Sequence, residues 1–151
     1  MKICGRCWLV CAFLLFSSFC AFAALGGNEA SVEDDVARMQ ATVKTSQAAA
    51  YTLHEIKMPT GTAVREYVSA GKVFAVAWSG PYPPDIKQLL GSYDQQYEQA
   101  IQNSPRRVGH GPMTLSQGNL VVQFGGHMGA FSGRAYLSDQ LPGGVSLESI
   151  R

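Results

Sequence analysis

His54, His110 and His127 are the side chains best suited to hold a metal or to move a proton near neutral pH. Their spacing gives little support to either role, because no pair forms an HxH or HExxH pattern. His54 alternates with Ile56 and Met58, as on a half-buried strand. His110 and His127 lie in glycine-rich stretches and would meet only if the connection around His110 folded over the turn around His127. That pair is the weak metal candidate, and it carries the alternative reading of the chain as a metal-assisted hydrolase. Solvated loop histidines are the plainer account, and the chain gives no signal for a cofactor. Ser79 precedes Gly80, but Ala77 stands where a GxSxG nucleophile elbow needs glycine. Asp94 and Glu98 sit one helical turn apart, the spacing of a solvated face. Gly125-Gly126-His127-Met128-Gly129 offers backbone N–H groups to an anion, yet the residues after it read as a strand. A hairpin turn therefore fits better than a phosphate loop, which makes Gly125 and Gly126 structural.

Binding is better supplied than catalysis. Tyr67, Trp78, Tyr82 and Tyr136 make an aromatic-rich margin beside a proline turn, and aromatics with a polar tip suit contact with a ligand or partner. Tyr67, Trp78, Tyr82, His127 and Arg134 are the candidate contact residues; the plainer alternative puts Trp78 in the core with the tyrosines around it. Arg65 and Glu66 are structural candidates. Glu66 shares a strand face with Val64 and Val68, so a cationic partner is expected if that face is buried. Arg134 is the first choice, and Arg65 the poorer one, since neighbours on a strand point to opposite faces.

The N-terminus reads as an address label. Lys2 and Arg6 precede the apolar run from Trp8 to Phe19, and Ala21-Phe22-Ala23 has the small-x-small form of a signal cleavage site. Cleavage is expected after Ala23 or one residue later. The uninterrupted apolar run is shorter than the roughly 20 residues a spanning helix needs, so no stable membrane span is expected after processing. Removing residues 1–23 from a chain of 151 leaves 128, and it takes away all four cysteines, Cys4, Cys7, Cys11 and Cys20. A disulfide framework or thiolate site is thereby excluded from the processed chain. Ten cations then face eleven carboxylates, a net charge of −1, which gives no electrostatic case for nucleic acid.

The elements that would position these residues read in order. Leu25 to Ala30 is expected to be a flexible terminus. Ser31 to Ala50 is expected to be helical, with Val32, Val36, Met39 and Val43 on one face. Strands are expected over 51–58, 62–69 and 72–79. The third is apolar on both faces, with Val73, Ala75 and Ala77 on one and Phe74, Val76 and Trp78 on the other, which marks a central strand. Pro81, Pro83 and Pro84 stop the sheet, and Pro84 starts a helix whose stripe is Ile86, Leu89, Leu90, Tyr93, Tyr97 and Ile101. Gly91 lies inside that helix and would allow close approach to the sheet. Residues 105–118 read as a polar connection, 119–124 and 130–137 as strands, and the tail from Leu141 as one further short strand at most. The fold class is α+β: an antiparallel meander of about five strands, one long helix on one face, and an additional N-terminal helix. The division is a signal segment over 1–23, a helical segment over 24–50 and the α+β domain over 51–151.

Several short motifs recur here in a specific order: Val64-Arg65-Glu66-Tyr67-Val68, Val73-Phe74-Ala75-Val76-Ala77-Trp78, Gly80-Pro81, Pro84-Asp85, Leu89-Leu90-Gly91, Gly125 to Phe131 and Gly133-Arg134-Ala135-Tyr136. Together they resemble the family catalogued as domain of unknown function 2844, small exported proteins of proteobacteria. The resemblance covers the chain from about Leu25 onward. It implies an exported protein of the periplasm or envelope of a Gram-negative bacterium and transfers no catalytic residue. The expectation is a non-enzymatic binding or accessory module whose partner is an envelope protein or a small ligand.

Overall fold

The structure, a computed structural model, describes residues 25–29, 32, 36, 41–104 and 112–151. Its frame is a seven-stranded antiparallel sheet in the order β1-β2-β3-β4-β7-β6-β5. The strands are β1 (Thr42–Gln47), β2 (Thr52–Lys57), β3 (Ala63–Ser69), β4 (Lys72–Gly80), β5 (Met113–Gln117), β6 (Leu120–His127) and β7 (Ala130–Leu137). Two meanders, β1–β4 and β5–β7, meet where β4 pairs with β7. β4 is the middle strand of the seven, as its two apolar faces require.

Local chemistry sets the turns. Ala70 and Gly71 join β3 to β4 with φ of 51° and 74°, the paired left-handed residues of a type I′ hairpin. The β6–β7 hairpin turns at Met128-Gly129, with Gly129 at φ 79°. The Asp85 carboxylate caps α1 (Ile86–Leu90), accepting from the backbone N–H groups of Lys87 and Gln88 at 3.0 and 3.2 Å. Pro84 thus lies just outside the helix. Gly91 ends α1 at φ 53°, ψ −116°, and a 3-10 turn over Gly91–Tyr93 leads into α2 (Asp94–Asn103). The expected single helix is therefore broken at its glycine. Lys87 reaches from α1 to Glu98 and, at 3.9 Å, to Asp94, so these carboxylates form a surface ion cluster.

The helices cover one face of the sheet. Leu89, Leu90 and Ala100 pack there with Ile56, Val64, Val68, Val76, Trp78, Leu115, Val122 and Ala135. On the opposite face a C-terminal strap brings Leu141, Val145, Leu147 and Ile150 against Tyr67, Phe74, Ala75, Ala77 and Tyr136. A bulge decides which β4 residues serve which face. Tyr67 pairs with Ala75 and Val68 with Val73, so Phe74 has no residue opposite it. Strict alternation predicted Val73 beside Ala75 and Phe74 beside Trp78. The extra residue instead puts Val73 in the helix-side core and Phe74 in the strap-side core.

Other expectations change as well. The helix over Ser31–Ala50 is not supported: its second half contains β1, and of residues 31–40 only Val32 and Val36 are among those described. Val43, expected on a buried helical stripe, is 44% exposed. Thr42, Val43 and Thr45 suit an extended backbone, and pairing with β2 supplies the hydrogen bonds that their weak helical period could not outweigh. The segment expected to be a flexible terminus is bonded to the fold. Leu25 N–H donates to Leu89 O, Gly26 N–H to Val73 O and Glu29 N–H to Gly71 O, and Leu25 is buried. Finally, the polar connection contains β5, whose Leu115 is buried between β6 and α2, and the tail ends in a 3-10 turn (Leu147–Ser149) instead of a strand. Among the described residues the strands thus number seven rather than about five.

Candidate functional site

The strap face is crossed by a polar row. Antiparallel pairing aligns Lys44, Glu55, Arg65, Ala77, Arg134, Gln123 and Thr114, one from each strand, so all seven project to the same side. Ala77 at the centre is small, which leaves room above it between the two arginines. Arg65 Nη2 donates to Glu55 Oε1 at 3.1 Å, and its Nη1 to the main-chain oxygen of Arg151 at 3.1 Å. Arg134 Nε donates to Gln123 Oε1 at 2.6 Å, while its Nη1 donates to Leu147 O and, at 3.1 Å, to Ile150 O. In the next row the Tyr67 hydroxyl lies 3.2 Å from the carbonyl oxygens of Ser149 and Arg151 and accepts from Arg151 N–H at 3.1 Å. These three side chains hold the main chain of the last turn, and Ile150 is driven fully into the sheet between them. Burial raises the Tyr67 phenol above its ordinary value, with the hydrogen bond from Arg151 N–H and the Arg65 charge acting the other way.

Where the strap ends, a cleft of about 460 Å³ opens beside it. Its polar walls are Ser79, Ser132, Gln123 and Thr114, with Arg134 and Arg151 at the strap side. Ser79 and Ser132 are direct cross-strand partners, and Gly125 follows Ser132 in the same row. Ser79 Oγ meets Arg65 Nη1 at a long 3.5 Å. Among the described residues neither serine hydroxyl bonds to a histidine or a carboxylate, so no general base is aligned on either.

The other side of this sheet end is closed by aromatics. Trp78, Gly133 and Phe124 are successive cross-strand partners on the helix face. A Cβ on Gly133 would lie 2.6 Å from Trp78 Cε2 and 2.7 Å from Gln123 O. The glycine therefore makes room for the indole, whose ring centroid is 5.7 Å from that of Phe124; Tyr97 of α2 adds a third ring at 6.2 Å. The Gly133-Arg134 pair thus does two jobs on two faces, seating the indole and holding the strap.

The sequence candidates fall into three places. Tyr67 and Arg134 meet on the strap face, where the strap already engages them. Trp78 is buried on the opposite face, as the plainer reading had it. Tyr82 lies in the loop after β4, and His127 is the last residue of β6, at the same end of the sheet; both are exposed. Tyr82 is 62% exposed, and Met128 at the hairpin tip is 88% exposed. Gly125 and Gly126 belong to β6, and position 126 requires glycine both for its φ of 90° and because a side chain there would strike Ala130 O. The proposed partner for Glu66 is not found in either arginine. Glu66 is fully buried on the helix face, opposite His54 and Val76, whereas Arg65 and Arg134 point to the strap. The hydroxyls of Ser132 and Thr114 were missed, and Ser79 was weighed only as a nucleophile. Only the pairing of distant strands reveals that they share a wall.

Metal ligation draws little from the geometry. His54 Nδ1 is 3.1 Å from Thr45 Oγ1, and its Nε2 is 3.4 Å from Glu29. His127 Nδ1 lies 3.0 Å from Met128 O. His110 is outside the described residues, and among those described no group of three or more metal-donor side chains forms. No helix among the described residues is long and apolar enough to cross a membrane.

A family model described as a protein of unknown function, DUF2844, matches residues 21–150. The chain belongs to that family. No curated protein and no solved structure matches it. For this DUF2844 chain the matched span includes every element of the sheet, α1, α2 and the strap through Ile150. The family description carries no activity, so the functional reading rests on the site itself.

Proposed function

We propose that the chain is an exported, signal-cleaved protein of the Gram-negative envelope that acts as a non-enzymatic binding module. Its contact region is the end of the sheet that carries the cleft, the Pro81–Pro84 turn and the β6–β7 hairpin. The observation that carries this reading is the exposure of Tyr82 and Met128 in the two loops at the end of the sheet that carries an open cleft of mixed polar and apolar lining. Exposed large side chains beside a concavity mark recognition surfaces more often than scattered single residues do. The absence of an aligned base at Ser79 and Ser132, among the described residues, favours binding over hydrolysis. Export is supported by the sequence of residues 1–23. Cleavage after Ala23 would spare Leu25, the first described core residue, which the fold needs.

Two measurements test this reading. Intact mass of the envelope-fraction protein should correspond to a chain starting near Ala24; a retained N-terminus overturns the export reading. Capture from a periplasmic extract with the Tyr82→Ser/Met128→Ser variant should lose partners that the wild-type chain retains. Identical capture by both proteins removes this end of the sheet as the contact surface.

A further inference from the structure

We infer that the cleft beside the strap is a site for a small organic anion, a carboxylate or a phosphate ester, and that the strap forms one of its walls. This rests on the binding-module reading and specifies the ligand of the same region.

The lining defines the chemistry. Ser79, Ser132 and Thr114 present hydroxyls. Gln123 gives its Oε1 to Arg134 Nε, so its amide NH₂ remains as a donor. Arg134 and Arg151 line the strap end, and no Asp or Glu is among the described lining residues. Hydroxyl, amide and guanidinium groups set against apolar surface from Trp78, Met113, Phe124 and Ile150, with no Asp or Glu side chain among them, favour a small organic ligand that is negative and rich in acceptors. Its volume, about 460 Å³, falls in the range of small-molecule sites and exceeds what a single inorganic ion fills. Ser79 and Ser132 sit on paired central strands, and Gln123 is fixed by Arg134, so most of the donors are held before a ligand arrives.

The strap makes the site conditional. Ile150 and Arg151 line the cleft, and Arg134 holds Leu147 and Ile150 while facing it. Gly143 and Gly144, where an added Cβ would meet nothing within 4 Å, lie within the strap between Leu141 and Val145 with little packing. An anion that contacts Arg134 and Arg151 binds only while the strap is docked, so ligand and strap stabilise each other.

The test is calorimetric titration of the processed chain at low ionic strength with citrate, glucose 6-phosphate, inorganic phosphate and glucose. Citrate or glucose 6-phosphate should bind, with glucose as the silent control. Citrate binding alone identifies a carboxylate site, and glucose 6-phosphate binding alone a phosphate-ester site. Equal binding of inorganic phosphate identifies a simple anion site and overturns the organic-ligand claim. Arg151→Gln, which keeps every main-chain bond of the strap, should weaken binding about tenfold. Ser132→Phe, at an exposed strand position, should fill the cleft and abolish binding with no loss of melting temperature. Amide exchange over residues 145–151 should slow when the anion is bound. Failure of all four solutes to bind, or binding that ignores both substitutions, overturns the inference. Partner capture that depends on Tyr82 and Met128 would survive that failure, so the two readings fall separately.

Discussion

Ile150→Ala is the most direct probe of how the strap is held. The side chain is fully buried against Tyr67, Phe74, Ala75 and Ala77. The substitution removes three carbons, worth about 2.4 kcal/mol at roughly 0.8 kcal/mol each. The sheet beneath cannot collapse to fill the gap, because Ala75 and Ala77 are part of central β4, so a cavity term raises the expected cost to about 3 kcal/mol. Arg65, Tyr67 and Arg134 would still bond to strap carbonyls, but each bond contributes only about 1 kcal/mol net, and more where a charge takes part. Loss of the anchor should therefore leave the strap close to the balance between docked and open. Hydrogen exchange reads this directly. The amides of Val145, Ser149 and Ile150, bonded within the strap, and that of Arg151, bonded to Tyr67, should exchange about 100-fold faster. Denaturant unfolding should show a lower midpoint and a smaller m-value, because a strap that leaves early removes its surface from the main transition. Unchanged exchange at these four amides would refute the claim that Ile150 anchors the strap.

Three further outcomes follow from single residues. Gly133→Ala should cost about 3 kcal/mol in denaturant unfolding, because its methyl group must displace both the Trp78 indole and the β6 backbone, and tryptophan emission should shift; a neutral result would mean that the indole has another seat. Ala70→Asn should raise stability by about 1 kcal/mol, since Ala70 holds φ 51° in a turn that favours asparagine, and an unchanged melting temperature would show the turn to be unstrained. Tyr67 carries a raised phenol pKa, so its stabilising effect is complete below its unfolded value of about 10 and is lost as pH rises through the higher folded value. Stability measured against pH should therefore fall more steeply on the alkaline side for the wild type than for Tyr67→Phe; parallel curves would exclude Tyr67 as the cause.

Much of the fold was legible because strongly patterned segments have one good solution. β2, β3, β4 and β7 were read almost to the residue: each is bounded by glycine, proline or a polar turn, and each alternates or is apolar throughout. The segments that misled were those with weak patterns. Thr42–Gln47 buries no side chain, so no hydrophobic period announces the strand, and Met113–Gln117 has only two apolar residues. The bulge at Phe74 was also invisible, because either register places an apolar residue on an apolar face.

The sequence alone determined that all four cysteines precede residue 21, that β4 would lie inside a sheet, that a proline turn would end it, and that an amphipathic helix would cover one side. Those properties follow from composition and short-range period. Tertiary structure decided that Arg65 and Arg134 would face a C-terminal strap instead of Glu66, and that hydroxyls from β4, β5 and β7 would share one wall. Such relations depend on strand order and on a one-residue shift in register. Side-chain period cannot encode either, because the partners lie far apart in the chain.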